Sequence, residues 1–196
     1  MVDQSAHQIS SIYENFIFVS ELSAALWVHI SALEVTLRKF IHDSLSRVYK
    51  TENWWLIPNL MSARDLKDIL TTEKRLHRQN RKVTPLLIAH NMSLSFWVEL
   101  LGKKYHKTIW LRIIECFPTH PGRREDFYKR AREIRNLRNL IAHHAPILHR
   151  NLLRDHQHLH ELTMILDPQL AQEVQKRSRV LDLLLNTRLV GSGGGI

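Results

Sequence analysis

Glu21-Leu-Ser-Ala-Ala-Leu-Trp-Val-His-Ile-Ser-Ala-Leu-Glu-Val-Thr-Leu-Arg-Lys-Phe-Ile-His-Asp-Ser-Leu45 decides the fold. Leu22, Leu26, Ile30, Leu33, Leu37, Phe40, Ile41 and Leu45 recur at threes and fours, the period of one helical face. Ala24, Ala25 and Ala32 keep helix propensity high, and no Gly or Pro interrupts. The pattern predicts a long helix from Glu21 to about Tyr49, with Glu34 and Arg38 as a solvated i,i+4 pair. Residues 1–20 precede it with a weaker helical pattern of Ile9, Ile12, Tyr13, Phe16, Ile17 and Val19.

Outward from that helix, the punctuation is also helical. Trp54-Trp55 and Pro58-Asn59 mark a loop; two adjacent tryptophans cannot share one helical stripe, so they are expected to cap the core. Ser62 is an N-cap, with Asp65 placed to help the helix start. That helix ends in Lys74, Arg75, Arg78, Arg81 and Lys82, either a solvated end or a contact with an RNA backbone. Thr84-Pro85 opens the next helix, expected to reach Leu101 with Gly102 as its C-terminal cap. Further helices are expected over 103–117, 122–144, 148–166 and, after Asp167-Pro168, to about Leu189. Four of the six glycines lie in Gly191-Ser-Gly-Gly-Gly-Ile196, leaving Gly102 and Gly122 for the rest. A β-rich chain needs glycine in its turns. The fold class is therefore all-α, a bundle of six to eight helices in one domain over 1–190, with a flexible Gly/Ser tail at 191–196.

The 196 residues suffice for a core, and a net charge of +9 with a pI of about 10.0 favours a polyanionic partner, nucleic acid before membrane. The single cysteine, Cys116, excludes an internal disulfide and a multi-cysteine zinc site. With no leader pattern and no apolar run of about 18 residues, a cytoplasmic protein with no membrane partner is expected.

Charge gathers in one place. Between Pro121 and Arg154 stand nine basic residues, Arg123, Arg124, Lys129, Arg130, Arg132, Arg135, Arg138, Arg150 and Arg154, against Glu125, Asp126 and Glu133. Within that span Arg135-Asn-Leu-Arg-Asn-Leu-Ile-Ala-His-His-Ala-Pro146 places two arginines, two asparagines and two histidines on the last turns of a helix. Asn139 and His143 are i and i+4, Arg135 precedes Asn139 by four, and Pro146 stops the helix. A helix C-terminus favours a protonated imidazole. A guanidinium beside it holds a phosphate through two parallel hydrogen bonds, and an amide orients either group. Those parts suffice for RNA cleavage without a cofactor: His143 as acid or base, Arg138 as phosphate clamp, Asn139 as orienter, Arg135 and His144 in support. The RNA path would use the basic residues of the span together with Arg78, Arg81 and Lys82.

Arg138-Asn139-Leu-Ile-Ala-His143-His144-Ala-Pro146-Ile147 resembles the signature of the Abi-like (abortive infection) branch of HEPN-domain proteins. Leu33–Arg38, Trp54-Trp55, Ser95–Leu101, Tyr105, Trp110 and Phe117-Pro118 follow in the order that family shows, over roughly residues 15–170. The resemblance implies a HEPN-like helical bundle and an endoribonuclease of phage defence, toxin-like in action. It further implies a homodimer whose two motifs form one composite cleft; some relatives pair with a small noncoding RNA. Ala145 stands where the family usually has Glu, and Leu140 where it often has a second Arg. Two alternatives accompany this reading. One is a non-catalytic RNA-binding partner or sensor. The other is a toxin–antitoxin module acting through an apolar C-terminal helix at Leu181–Leu185. His156 and His160 are i and i+4, with His149 and His158 near, but lack a third ligand and an acid in frame, so no metal is expected.

Overall fold

A computed structural model describes residues 2–191, with side chains from 12 to 185. The described residues are all-helical, without strands. Helix α1, Val2–Tyr49, is one unbroken helix of 48 residues, so the weaker N-terminal pattern and the strong one belong to a single element. Leu22, Leu26, Ile30, Leu33, Leu37, Ile41 and Leu45 are all 2% exposed or less and form the seam on which the bundle is built. Phe40 packs at its edge. Before Leu22 the helix runs along the rim, and Ile12, Tyr13, Phe16 and Ile17 are exposed.

The same helix corrects the expectation about apolar runs. Within Ile12–Tyr49 lies an 18-residue window long and apolar enough to cross a membrane by length and composition, a third of it (33%) buried in the bundle. The reason is the scarcity of charge: Glu34 is the only charged residue between Leu22 and Leu37.

Helix α2, Ala63–Arg78, starts where Ser62 Oγ accepts the Asp65 amide. Asp65 then receives Lys104 at 2.5 Å and Ser62 Oγ at 2.9 Å, with the Tyr105 hydroxyl as a third donor. Burial opposes its ionisation, but these bonds outweigh it and hold the carboxyl below its usual range. The helix expected over 85–101 is two: α3, Pro85–Asn91, and α4, Leu94–Glu99. Ser93 breaks it, because its hydroxyl accepts the Phe96 amide and starts a new helix. Gly102 is not a left-handed cap (φ −68°); a Cβ there would sit 3.1 Å from the Glu99 carbonyl, so glycine serves close packing.

Residues 103–117 are not one regular helix. A 3-10 turn (Lys103–Tyr105) leads through a π-type turn (His106–Trp110) and the short α5 (Leu111–Ile113) to a second 3-10 turn (Ile114–Cys116). The Tyr49 hydroxyl bonds the Thr108 carbonyl at 3.1 Å, drawing off one carbonyl of that winding. Trp54 and Trp55 are both buried in a 3-10 turn, and Trp54 Nε1 donates to His42 Nδ1 at 3.2 Å, so they close the core as expected.

Helix α6, Arg124–Ala142, and α7, Leu152–Leu166, pack on α1 and on each other. The segment after Asp167 divides into α8, Pro168–Lys176, and α9, Val180–Gly191. Residues 192–196, most of the expected tail, lie outside the described residues.

Candidate functional site

Phe127, Ala131, Ile134, Leu137 and Ile141 bury one face of α6 at three- and four-residue spacing. At about 3.6 residues per turn, the opposite face carries Lys129, Arg132, Asn136, Asn139 and His143, all exposed. Asn139 and His143 therefore stand side by side toward solvent.

The helix expected to reach about His144 ends at Ala142, in a Schellman turn with the His144 amide on the Ile141 carbonyl at 3.1 Å and the Ala145 amide on the Leu140 carbonyl at 2.9 Å. His143 is the C-cap, and His144 takes the left-handed position, φ 53°, usually given to glycine. This turn exposes both histidines and sends Ile147 back into the core.

Arg138 stands apart from Asn139 and His143, at the boundary with α1. Its Nε lies 3.5 Å from Glu34 Oε2, and its guanidinium carbon lies 5.6 Å from the centre of the Trp27 ring. Glu34 also accepts from Arg38 at 3.1 Å, so one carboxylate faces two guanidiniums. The Nε atoms of Arg38 and Arg138 are buried and make no hydrogen bond. Arg135 is not brought to His143. It pairs with Glu99 at 2.6 Å and lines a separate polar groove with Asp65, Asp68 and Lys104.

The basic residues divide by burial. Arg124 is buried, donating to the Leu101 carbonyl at 3.0 Å and pairing with Glu125 at 2.6 Å. Arg150 grips the buried Asp155 with two bonds, at 2.8 and 2.9 Å, and Arg130 pairs with Glu161 at 2.9 Å. All three are held in ion pairs within the bundle, and the expected RNA contact is corrected for Arg124, whose side chain is buried. Arg123 is exposed and paired with Asp126 at 3.0 Å. Lys129, Arg132 and Arg154, and at and just beyond the end of α2 Arg78, Arg81 and Lys82, are exposed and in no salt bridge among the described residues, although Lys129 lies near enough to Asp126 to favour its charge.

His144 lines a groove of about 1210 Å³ between α1 and the segment after α6, with Phe16, Val19, Trp27, Pro146 and Leu148 among its apolar walls. Of the histidines considered for a metal, His149 is exposed, whereas His156 is buried against Ser178 and His29. Among the described residues no three His, Cys, Asp or Glu side chains are placed to hold a metal ion. In α9, Leu181 and Leu185 are exposed while Leu183 is buried.

Two residues of this region carry no functional assignment from sequence, Trp27 and Glu99, while Glu34 reads there as half of a solvated pair with a catalytic carboxylate as the alternative. The Glu34–Arg38 spacing was visible, but its third partner lies on another helix. Trp27 had only the signal of a large aromatic residue off the main apolar seam. No protein-family model, curated protein or solved structure matches the chain.

Proposed function

We propose that the chain is a metal-independent endoribonuclease whose catalytic element is the C-terminal end of α6. One observation carries the reading: Asn139 and His143 are exposed together on a face that also bears the exposed Lys129 and Arg132. A polyanion is drawn to such a face. His143 takes the proton of a ribose 2′-hydroxyl, the 2′-oxygen attacks phosphorus, and the bond to the 5′-oxygen breaks as that oxygen is protonated. The products are a 2′,3′-cyclic phosphate and a 5′-hydroxyl. Asn139 orients the imidazole or the phosphate. Arg138 reaches the phosphate from the α1 edge, its guanidinium positioned by Glu34 and Trp27. The motif's resemblance to Abi-like HEPN proteins supports a defence role and a working homodimer, and the exposed apolar groove beside His144 supports a second copy at this place.

Incubation of wild type and His143→Ala with total RNA, followed by mapping of the new ends, tests the reading. Cleavage with cyclic-phosphate ends is expected to persist in chelator and to fall by roughly 100-fold or more in the variant. Equal cleavage by the variant would refute it. A second reading is favoured by the engagement of Arg138 with Glu34 and Trp27: an RNA-binding partner or sensor that does not cut. It predicts salt-sensitive binding with no new ends.

A further inference from the structure

We infer that Trp27 is a nucleobase-stacking residue, so that the site takes an unpaired base beside the phosphate held by Arg138. The inference rests on the nuclease reading for its phosphate and on separate observations for its base. Trp54, Trp55, Trp97 and Trp110 are 4% exposed or less, whereas Trp27 is 38% exposed. Its position on α1 is one that the bundle does not need: the apolar seam runs past it on Leu22, Leu26 and Ile30.

The indole has two neighbours of functional kind. Arg138 already lies over its ring, and His144 lines the same groove. A nucleotide carries its base and its phosphate on one ribose. A base on Trp27 therefore brings a phosphate to the guanidinium that touches that ring. Stacking on an aromatic side chain is tolerant of sequence, because every base has a π-face. It also requires that the base be unpaired. A duplex keeps its bases stacked on each other and presents only backbone. The geometry thus selects single-stranded RNA, or a loop or bulge, and leaves sequence preference to other contacts.

The other occupant of an exposed tryptophan is protein. The apolar walls at Ile12, Phe16 and Val19 suit a protein surface, but they lie toward the N-terminal end of the groove. Trp27 lies at the end where α1 meets Arg138, so a partner on the N-terminal part leaves the indole open to the cleft.

Trp27 is the exposed tryptophan and four buried ones also emit, so its signal is read as the part of the quenching that is lost in Trp27→Phe. The full chain is titrated with a single-stranded 2′-fluoro oligouridylate of 12 nucleotides, which lacks the attacking hydroxyl, and with a duplex of the same length. Fluorescence anisotropy of a labelled strand gives binding independently. The single strand is expected to quench the tryptophan emission, and the duplex is not. Trp27→Ala is expected to weaken single-strand binding by roughly 5- to 150-fold, and Trp27→Phe to retain most of it, with both variants keeping the wild-type circular dichroism. The inference is overturned if the strand binds without quenching, if the duplex quenches equally, or if Trp27→Ala binds like wild type. It is equally overturned if acrylamide cannot reach Trp27 in RNA-free protein, which assigns the indole to a protein interface. Loss of cleavage chemistry is read separately by His143→Ala, so stacking without cutting overturns the nuclease reading and not this one.

Discussion

At the scale of single residues, the site is defined by how α6 stops. An L-residue at positive φ costs of the order of 1 kcal/mol, and such strain persists where surrounding structure holds it. His144 occupies that position, φ 53°, and its two turn hydrogen bonds fix it there. Glycine removes the Cβ penalty at a C′ position while keeping those bonds. His144→Gly is therefore expected to stabilise the fold by about 1 kcal/mol, seen as a higher midpoint in urea. The same variant is expected to lower RNA cleavage if the imidazole contributes to the site. A variant both less stable and fully active would show that the side chain is there for packing. The residues of the motif were legible in sequence because their spacing is local: Asn139 and His143 share a face by helical period alone. The partners of Arg138 and Arg135 were not legible. Glu34 and Glu99 lie on other helices, and no period in α6 points to them. Burial sorted the basic residues in the same way. Nothing in the sequence distinguishes Arg124 or Arg150, which tie down the core, from Arg132 and Arg154, which face water.

At the scale of elements, long amphipathic helices were readable and their joints were not. The α1 seam is a strict three–four pattern and survived intact. The joint between α3 and α4 depends on one serine hydroxyl choosing an amide, a choice that competes with helix continuation by little energy. The joint between α8 and α9 does more than turn the chain. Ser178, within it, lies 2.9 Å from His29 Nε2 on α1 and 3.3 Å from His156 Nε2 on α7. The two buried rings meet edge to face with centres 4.5 Å apart. One imidazole accepts from the hydroxyl and the other donates to it, an arrangement that needs the accepting ring neutral. Burial first, then the neighbouring His156 and His160, lower the His29 pKa from 6.5 to about 4, and burial likewise lowers His156. The unfolded chain protonates these rings from pH 6.5 downward while the folded chain does not. Stability is therefore full above pH 6.5, falls as pH drops, and stops falling on this account below pH 4. The His29 shift alone corresponds to about 3 kcal/mol. Urea denaturation across pH 7 to 4 is expected to show that loss in wild type and a shallower one in His29→Gln, whose amide can still bond Ser178. Parallel slopes in the two proteins would place the acid sensitivity elsewhere.

At the scale of the molecule, acidic apolar surface and basic surface come from different segments of the chain that meet at one groove. Residues 1–37 contain Asp3, Glu14, Glu21 and Glu34 and no Lys or Arg, while the span from Pro121 to Arg154 carries nine basic residues. The acidic segment is also apolar: Phe16 is 70% exposed, with Ile12, Tyr13 and Ile17 exposed beside it on α1. Contiguous apolar surface of this kind marks an interaction site. Its groove runs to His144, and an acidic, apolar helix end complements a basic partner surface. On the proposed reading, a second copy of the chain would supply both features at once. A two-fold axis at the Phe16 part of the groove would pair the acidic α1 of each copy with the basic α6 end of the other, as an isologous interface requires. It would also bring the two motifs to one cleft and make activity depend on association. Phe16→Glu places a charge in the middle of that surface, where it packs against nothing in the monomer's core. The variant is expected to keep its helical content and thermal midpoint, to sediment as a monomer at concentrations where wild type is a dimer, and to lose most RNA cleavage. Binding of a single-stranded oligonucleotide is expected to fall much less, since Lys129, Arg132 and Arg154 remain. Mixing Phe16→Glu with His143→Ala separates interface from chemistry: if one intact interface face cannot rescue the other copy, activity stays low. A monomeric wild type that cleaves RNA at full rate, or a Phe16→Glu protein that stays dimeric, would remove the second copy from the site and leave α6 as a complete catalytic element.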